Sequence, residues 1–153
     1  MRAGYYLPGI ATPDLAAIST TWTVGAPVAA VVFYRALVQA GNLAPIDALC
    51  SGLRAAGLNP LPLYVTSLKD PPAAAIVEEA LAETSPDVIL NATGFSVSTP
   101  GVKRRSTPFD GADCPVLQVV FAGNDQKSWE ANCHGLSPRD IAMNVALPEV
   151  DGR

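Results

Sequence analysis

Short apolar runs alternate along this chain with stretches in which apolar residues recur at helical spacing. Residues 27–34 form a continuous apolar run, the pattern of a strand buried on both faces. Pro45 suits a first helical position, and Ile46, Leu49, Cys50 and Leu53 repeat along one helix face. Gly57 stands where a helix ends in a left-handed residue. A second strand is expected over residues 61–65. Asp70 and Pro71 then open a helix carrying Ile76, Val77, Ala80 and Leu81. Residues 87–91 and 115–121 read as a third and a fourth strand. A long loop rich in Gly, Ser, Thr and Pro separates them, and loops of that length are often functional. A short helix over residues 126–133 follows. Ser137-Pro138-Arg139-Asp140 then has the form of a capping box that starts a last helix.

Such alternation predicts an α/β fold, a three-layer sandwich around a parallel, flavodoxin/Rossmann-like sheet with right-handed crossovers. Four strands are expected in the spatial order 2-1-3-4, with room for a fifth around residues 145–147. Residues 1–25 lack a clear period and read as an extended lead-in with a short helix over residues 14–18. Residues 26–153 then form a single α/β domain.

Composition narrows the classes. Of 153 residues, 49% are hydrophobic and 16% charged, which fits a filled core and argues against disorder. The longest strongly apolar run, residues 26–34, is far short of the ~20 residues of a spanning helix, so no membrane segment is expected. A net charge of −4 offers no field that draws nucleic acid. Cys50, Cys114 and Cys133 are odd in number and never form Cys-x-x-Cys, which suits a reducing, cytoplasmic setting. Asn91-Ala92-Thr93 matches a glycosylation sequon only by accident in that setting.

In open parallel sheets, ligands gather outside the carboxyl ends of the strands. Here those ends lead into Tyr34-Arg35, Thr66-Ser67-Leu68-Lys69-Asp70, Asn91-Ala92-Thr93-Gly94-Phe95-Ser96 and Ala122-Gly123-Asn124-Asp125. No Gly-x-x-x-x-Gly-Lys-Ser/Thr is present for ATP, and no Gly-x-Gly-x-x-Gly follows the first strand for a dinucleotide. The single histidine, His134, stands before Gly135 at an expected helix end, and no metal-ligand spacing appears. Cys133 reads as an inert helix residue, and Lys103-Arg104-Arg105 as solvated loop charge. Trp22 and Phe95 read as contact aromatics, while core packing is the expectation for Trp129.

From about Val28 to Arg153 the chain resembles the large subunit of aerobic cobaltochelatase, related to the large subunit of magnesium chelatase. The resemblance is carried by Phe33-Tyr34-Arg35, Ala44-Pro45-Ile46-Asp47-Ala48-Leu49, Gly57-Leu58-Asn59-Pro60-Leu61-Pro62, Asn91-Ala92-Thr93-Gly94-Phe95-Ser96 and Pro115-Val116-Leu117-Gln118. Its most specific part is Gly135-Leu136-Ser137-Pro138-Arg139-Asp140 with Pro148-Glu149-Val150-Asp151-Gly152-Arg153. Lys103-Arg104-Arg105 and Asn124-Asp125-Gln126-Lys127 match poorly.

The resemblance implies one domain of a far longer subunit that binds hydrogenobyrinic acid a,c-diamide and accepts cobalt in aerobic cobalamin biosynthesis. It implies two smaller partner subunits, one an AAA+ ATPase that uses ATP and magnesium. No cofactor is expected in this chain, which alone is expected to be inactive. Arg35 is then suited to a substrate carboxylate, and Asn91, Thr93 and Ser96 to hydrogen bonds with amide side chains of the macrocycle. Phe95 is suited to cover its apolar face, and Glu149 or Asp151 to take pyrrole protons. Two other readings stay open. One is a scaffold or docking module of the same subunit; the other is an unrelated small-molecule-binding α/β protein complete at this length.

Overall fold

The computed structural model describes residues 1–98, 105–131 and 135–151. Lys103, Arg104, Cys133 and His134 lie outside the described residues.

Four strands are parallel: β2 (Val28–Tyr34), β3 (Asn59–Val65), β4 (Val88–Asn91) and β5 (Val116–Gln118). A fifth, β1 (Ala3–Tyr5), lies antiparallel on the outer edge of β3, giving the order β1-β3-β2-β4-β5. The predicted order 2-1-3-4 is the order of the four parallel strands. The fifth strand, however, comes from the lead-in and not from residues 145–147. Those residues fall within a helical stretch made of α6 (Pro138–Ile141), a π-helical segment (Ala142–Ala146) and α7 (Leu147–Glu149). Pro148 has no N–H for the Asn144 carbonyl and its ring crowds that turn, which favours a wider one. The Asn144 side-chain amide donates instead to the Asp140 carbonyl at 3.1 Å.

Helices cover both faces. Ala30, Val32, Leu61, Leu63 and Val65 pack against Ala73, Val77, Ala80 and Leu81 of α4 (Pro71–Thr84). On the opposite face Val31 and Phe33 meet Ile46 and Cys50 of α3 (Ala44–Ala55). Asp70 sits at the N-cap of α4, but its carboxylate makes no cap bond and pairs with Arg2 at 2.9 Å.

The lead-in is tied to the sheet. Two prolines in β3, Pro60 and Pro62, leave that edge without N–H donors but with carbonyls to satisfy. Trp22 donates its indole N–H to the Pro60 carbonyl at 3.0 Å, and the Tyr6 N–H donates to that of Pro62 at 3.0 Å. The buried Asn59 amide closes the arrangement on Thr23 and Ala26. The short helix expected over residues 14–18 is α1 (Leu15–Ser19), which Asp14 caps and which buries Ile18. Among the described residues no helix is long and apolar enough to cross a membrane.

Trp129 departs from its expected core position. It lies on α5 (Gln126–Ala131), a helix with no buried residue, and is 46% exposed.

Candidate functional site

β2 runs directly from Tyr34 into α2 (Arg35–Gln39), so Arg35 opens that helix at the carboxyl edge of the sheet. Arg35 is half-buried, and its guanidinium makes no ion pair or hydrogen bond among the described residues. Next to β2, strand β4 ends at Asn91 and the chain enters the long loop.

The start of that loop is held from three directions. Asn91, 0% exposed, accepts from the Thr93 N–H at 3.2 Å and the Thr93 hydroxyl at 2.8 Å. Its amide nitrogen donates to the Gln118 side chain at 2.7 Å and to the Thr93 carbonyl at 3.1 Å. Gln118, from β5, also donates to the Thr93 carbonyl at 3.0 Å. Tyr34 takes the next pair: its hydroxyl oxygen accepts from the Gly94 and Phe95 N–H groups at 3.1 and 2.9 Å. Asp151, 1% exposed, takes the third, accepting from the Val97 and Ser98 N–H groups at 2.6 and 2.8 Å. The buried Ser96 hydroxyl donates to the Ser98 carbonyl at 2.9 Å. Buried backbone donors require acceptors, and here side chains from β2, β4 and the end of the described chain provide them.

Seven residues were expected to form the site, and five of them gather on this loop: Asn91, Thr93, Phe95, Ser96 and Asp151. Asn91, Thr93, Ser96 and Asp151 face inward and shape the loop. Phe95 faces out, 54% exposed, its ring edge-to-face with Tyr34 at 6.3 Å between centroids. Glu149 is exposed on α7. Three residues not chosen from sequence as site residues complete the arrangement: Tyr34, Gln118 and Gly94. The first two are polar side chains closing apolar strands, which was their one visible signal. Gly94 allows the closest approach, since a Cβ there would stand 2.5 Å from the Met143 carbonyl oxygen.

Two openings lie nearby, one beside Met143, whose carbonyl meets Gly94, and one lined in part by the loop itself. One, of about 460 Å³, is lined by Gly123, Asn124, Arg139, Asp140, Met143 and Asn144. Here the predicted capping box forms: the Ser137 hydroxyl donates to Asp140 at 2.8 Å and accepts from its N–H at 3.1 Å. The Ser137 hydroxyl, and after it the Gly123 N–H, hold the Asp140 carboxyl below its ordinary value. The other opening, about 270 Å³, includes Lys69, Val97 and Arg105 in its lining. Among the described residues no three His, Cys, Asp or Glu side chains group as metal ligands. The arrangement offers an exposed aromatic ring and an uncommitted guanidinium on a braced edge, a surface suited to a flat anionic ligand.

A family model described as CobN/Magnesium Chelatase matches residues 4–153. The chain is 49% identical over 127 residues to the aerobic cobaltochelatase subunit CobN of Sinorhizobium sp., covering 83% of this chain and 10% of that protein. To the subunit of the same name from Pseudomonas aeruginosa it is 42% identical over 152 residues, covering 99% of this chain and 12% of the relative. The catalytic subunit of cobaltochelatase from Mycobacterium tuberculosis superposes on the whole chain with a TM-score of 0.75 and 29% identity, using 12% of its own length. The chain thus spans 10% and 12% of the length of the two curated relatives. On this family match and these identities, the chain belongs to the CobN/magnesium chelatase family.

Proposed function

We propose that this chain is one domain of the tetrapyrrole-binding subunit of a cobaltochelatase, and that its braced loop contacts the macrocycle. The subunit inserts cobalt into hydrogenobyrinic acid a,c-diamide in aerobic cobalamin biosynthesis. Cobalt is a substrate in this reaction. ATP and magnesium act in an AAA+ ATPase, one of two smaller partner subunits, in keeping with the missing phosphate-binding motif. The reading as an unrelated α/β protein falls with the family assignment.

The observation that carries the site is the exposed Phe95 ring on a loop held by side-chain oxygens that accept from the N–H groups of Thr93, Gly94, Phe95, Val97 and Ser98. A braced aromatic contributes contact area to a flat ligand with little entropy left to lose on binding. Arg35 pairs with a peripheral carboxylate through parallel hydrogen bonds. Asn91, Thr93, Ser96 and Asp151 act through the loop they shape. Glu149, exposed on α7, accepts a pyrrole proton as metal enters.

Arg35→Ala in the full-length subunit tests this. One charged hydrogen bond is worth about 1.5–3 kcal/mol, so tetrapyrrole affinity should fall about ten- to a hundredfold in an absorption titration. Arg35→Lys should restore only part, because an ammonium lacks the planar fork. Unchanged affinity with a large drop in melting temperature would make Arg35 structural. The docking reading would then gain, and Leu117, Trp129, Ile141 and Val145 are exposed apolar side chains open to it.

A further inference from the structure

Tyr34 closes the central strand β2, and through its hydroxyl it links that strand to the loop carrying Phe95. A phenolic oxygen can accept hydrogen bonds and has one proton to donate. Two consecutive N–H groups, of Gly94 and Phe95, occupy it as acceptor at 3.1 and 2.9 Å. The loop presents only donors at that point, so the phenolic proton is directed away from it. Among the described residues no acceptor receives that proton. The ring is fixed as well, edge-to-face with Phe95 at 62°. Hydrogen bonds in series polarise one another, so the two amides make the free O–H a better donor.

We propose that Tyr34 positions Phe95 and gives its spare proton to an acceptor on the ligand, a carboxylate or amide carbonyl at the rim of the macrocycle. The donor half of this inference rests on the tetrapyrrole reading above, and the positioning half does not. A single oxygen then couples loop geometry to ligand recognition. Removing it loosens the aromatic contact and deletes a hydrogen bond together.

The test uses the full-length subunit and Tyr34→Phe, which keeps the ring and its contact with Phe95. Without ligand, amide hydrogen exchange in the peptide spanning residues 92–98 is expected to accelerate about tenfold. Exchange in the peptide from α4 should stay at the wild-type rate, which reports an intact fold. Titration with hydrogenobyrinic acid a,c-diamide is expected to show a Kd raised about tenfold or more. Adding Phe95→Ala should cost less in the Tyr34→Phe background than in wild type, since part of the Phe95 contact is already lost. A purely structural tyrosine would leave the two substitutions additive. Unchanged loop exchange overturns the positioning role, and an unchanged Kd overturns the donor role. If wild type itself fails to bind the macrocycle, the tetrapyrrole reading and the donor half fall together. Loop exchange then decides the positioning half by itself.

Discussion

Replacing Gly94 by alanine puts a methyl group where backbone already stands. The added Cβ would lie 2.5 Å from the Met143 carbonyl oxygen and 3.2 Å from its carbonyl carbon. Carbon–oxygen contacts settle at about 3.3 Å or beyond, so roughly 0.8 Å must be found. Neither partner gives way freely. The loop is held through Tyr34 on one side of the contact and Asp151 on the other. Met143 belongs to the π-helical segment that Pro148 already constrains. Overpacking of this kind costs about 1–3 kcal/mol, and a displaced loop gives up a Tyr34 bond worth about 0.5–1.5 kcal/mol more. Gly94→Ala should therefore destabilise the chain by about 2–4 kcal/mol. In urea the midpoint should fall by about 1–2 M with the slope unchanged. Gly52→Ala is the control: it lies within α3 with open space around it and should stabilise by about 0.5–1 kcal/mol. A loss below about 0.5 kcal/mol at Gly94 would refute the reasoning, because the loop would then be free to move.

Two further outcomes follow from titrating groups. Burial pushes the Cys50 thiol up to about 11, so at pH 8 on the order of one molecule in a thousand carries the thiolate. Iodoacetamide should label Cys50 only once urea unfolds the chain, and rapid labelling of the native chain, read by peptide mass, would contradict its burial. The Asp140 carboxyl is held below its ordinary value, first by the Ser137 hydroxyl. Its contribution to stability is present above the unfolded-state value of about 3.9 and is lost as pH falls through the lower folded-state value. Asp140→Asn should lower the urea midpoint at pH 7 and flatten its decline below about pH 4, and an unaltered acid limb would remove Asp140 as its cause.

β2 was legible because burial on both faces leaves an unbroken apolar run, and five of its consecutive residues are buried. The expected order of the parallel strands, 2-1-3-4, matches the one observed and puts helices on both faces of the sheet. β1 was not legible, because three residues carry no period, and Ala3–Tyr5 becomes a strand only by pairing with Leu63, Tyr64 and Val65. Residues 145–147 misled in the opposite sense. Val145, Ala146 and Leu147 are an apolar run, but the helix begun at the Ser137 cap reaches them first. Pro148 leaves its mark as a change of pitch and not as a stop.

At the site, the sequence marked the right segment and left the direction of its side chains undetermined. A polar residue at a strand end is equally suited to a ligand and to the backbone of the loop it begins. The choice is made by donors that no sequence pattern displays. As the chain leaves β4, the N–H groups of Thr93, Gly94, Phe95, Val97 and Ser98 all turn to side-chain oxygens. Each would cost about 1–3 kcal/mol if left buried and unpaired. That demand exceeds what one hydrogen bond to a ligand returns, so Asn91, Tyr34 and Asp151 are drawn inward before any ligand arrives. Asp151, read from sequence as a proton acceptor, thereby becomes the anchor for Val97 and Ser98. The groups that the backbone does not claim here are the exposed Phe95 ring, the Arg35 guanidinium and the spare proton of Tyr34. On the tetrapyrrole proposal, recognition would depend on that residual set, and a substitution at Asn91, Thr93, Ser96 or Asp151 would reach the ligand only by moving the loop that carries Phe95.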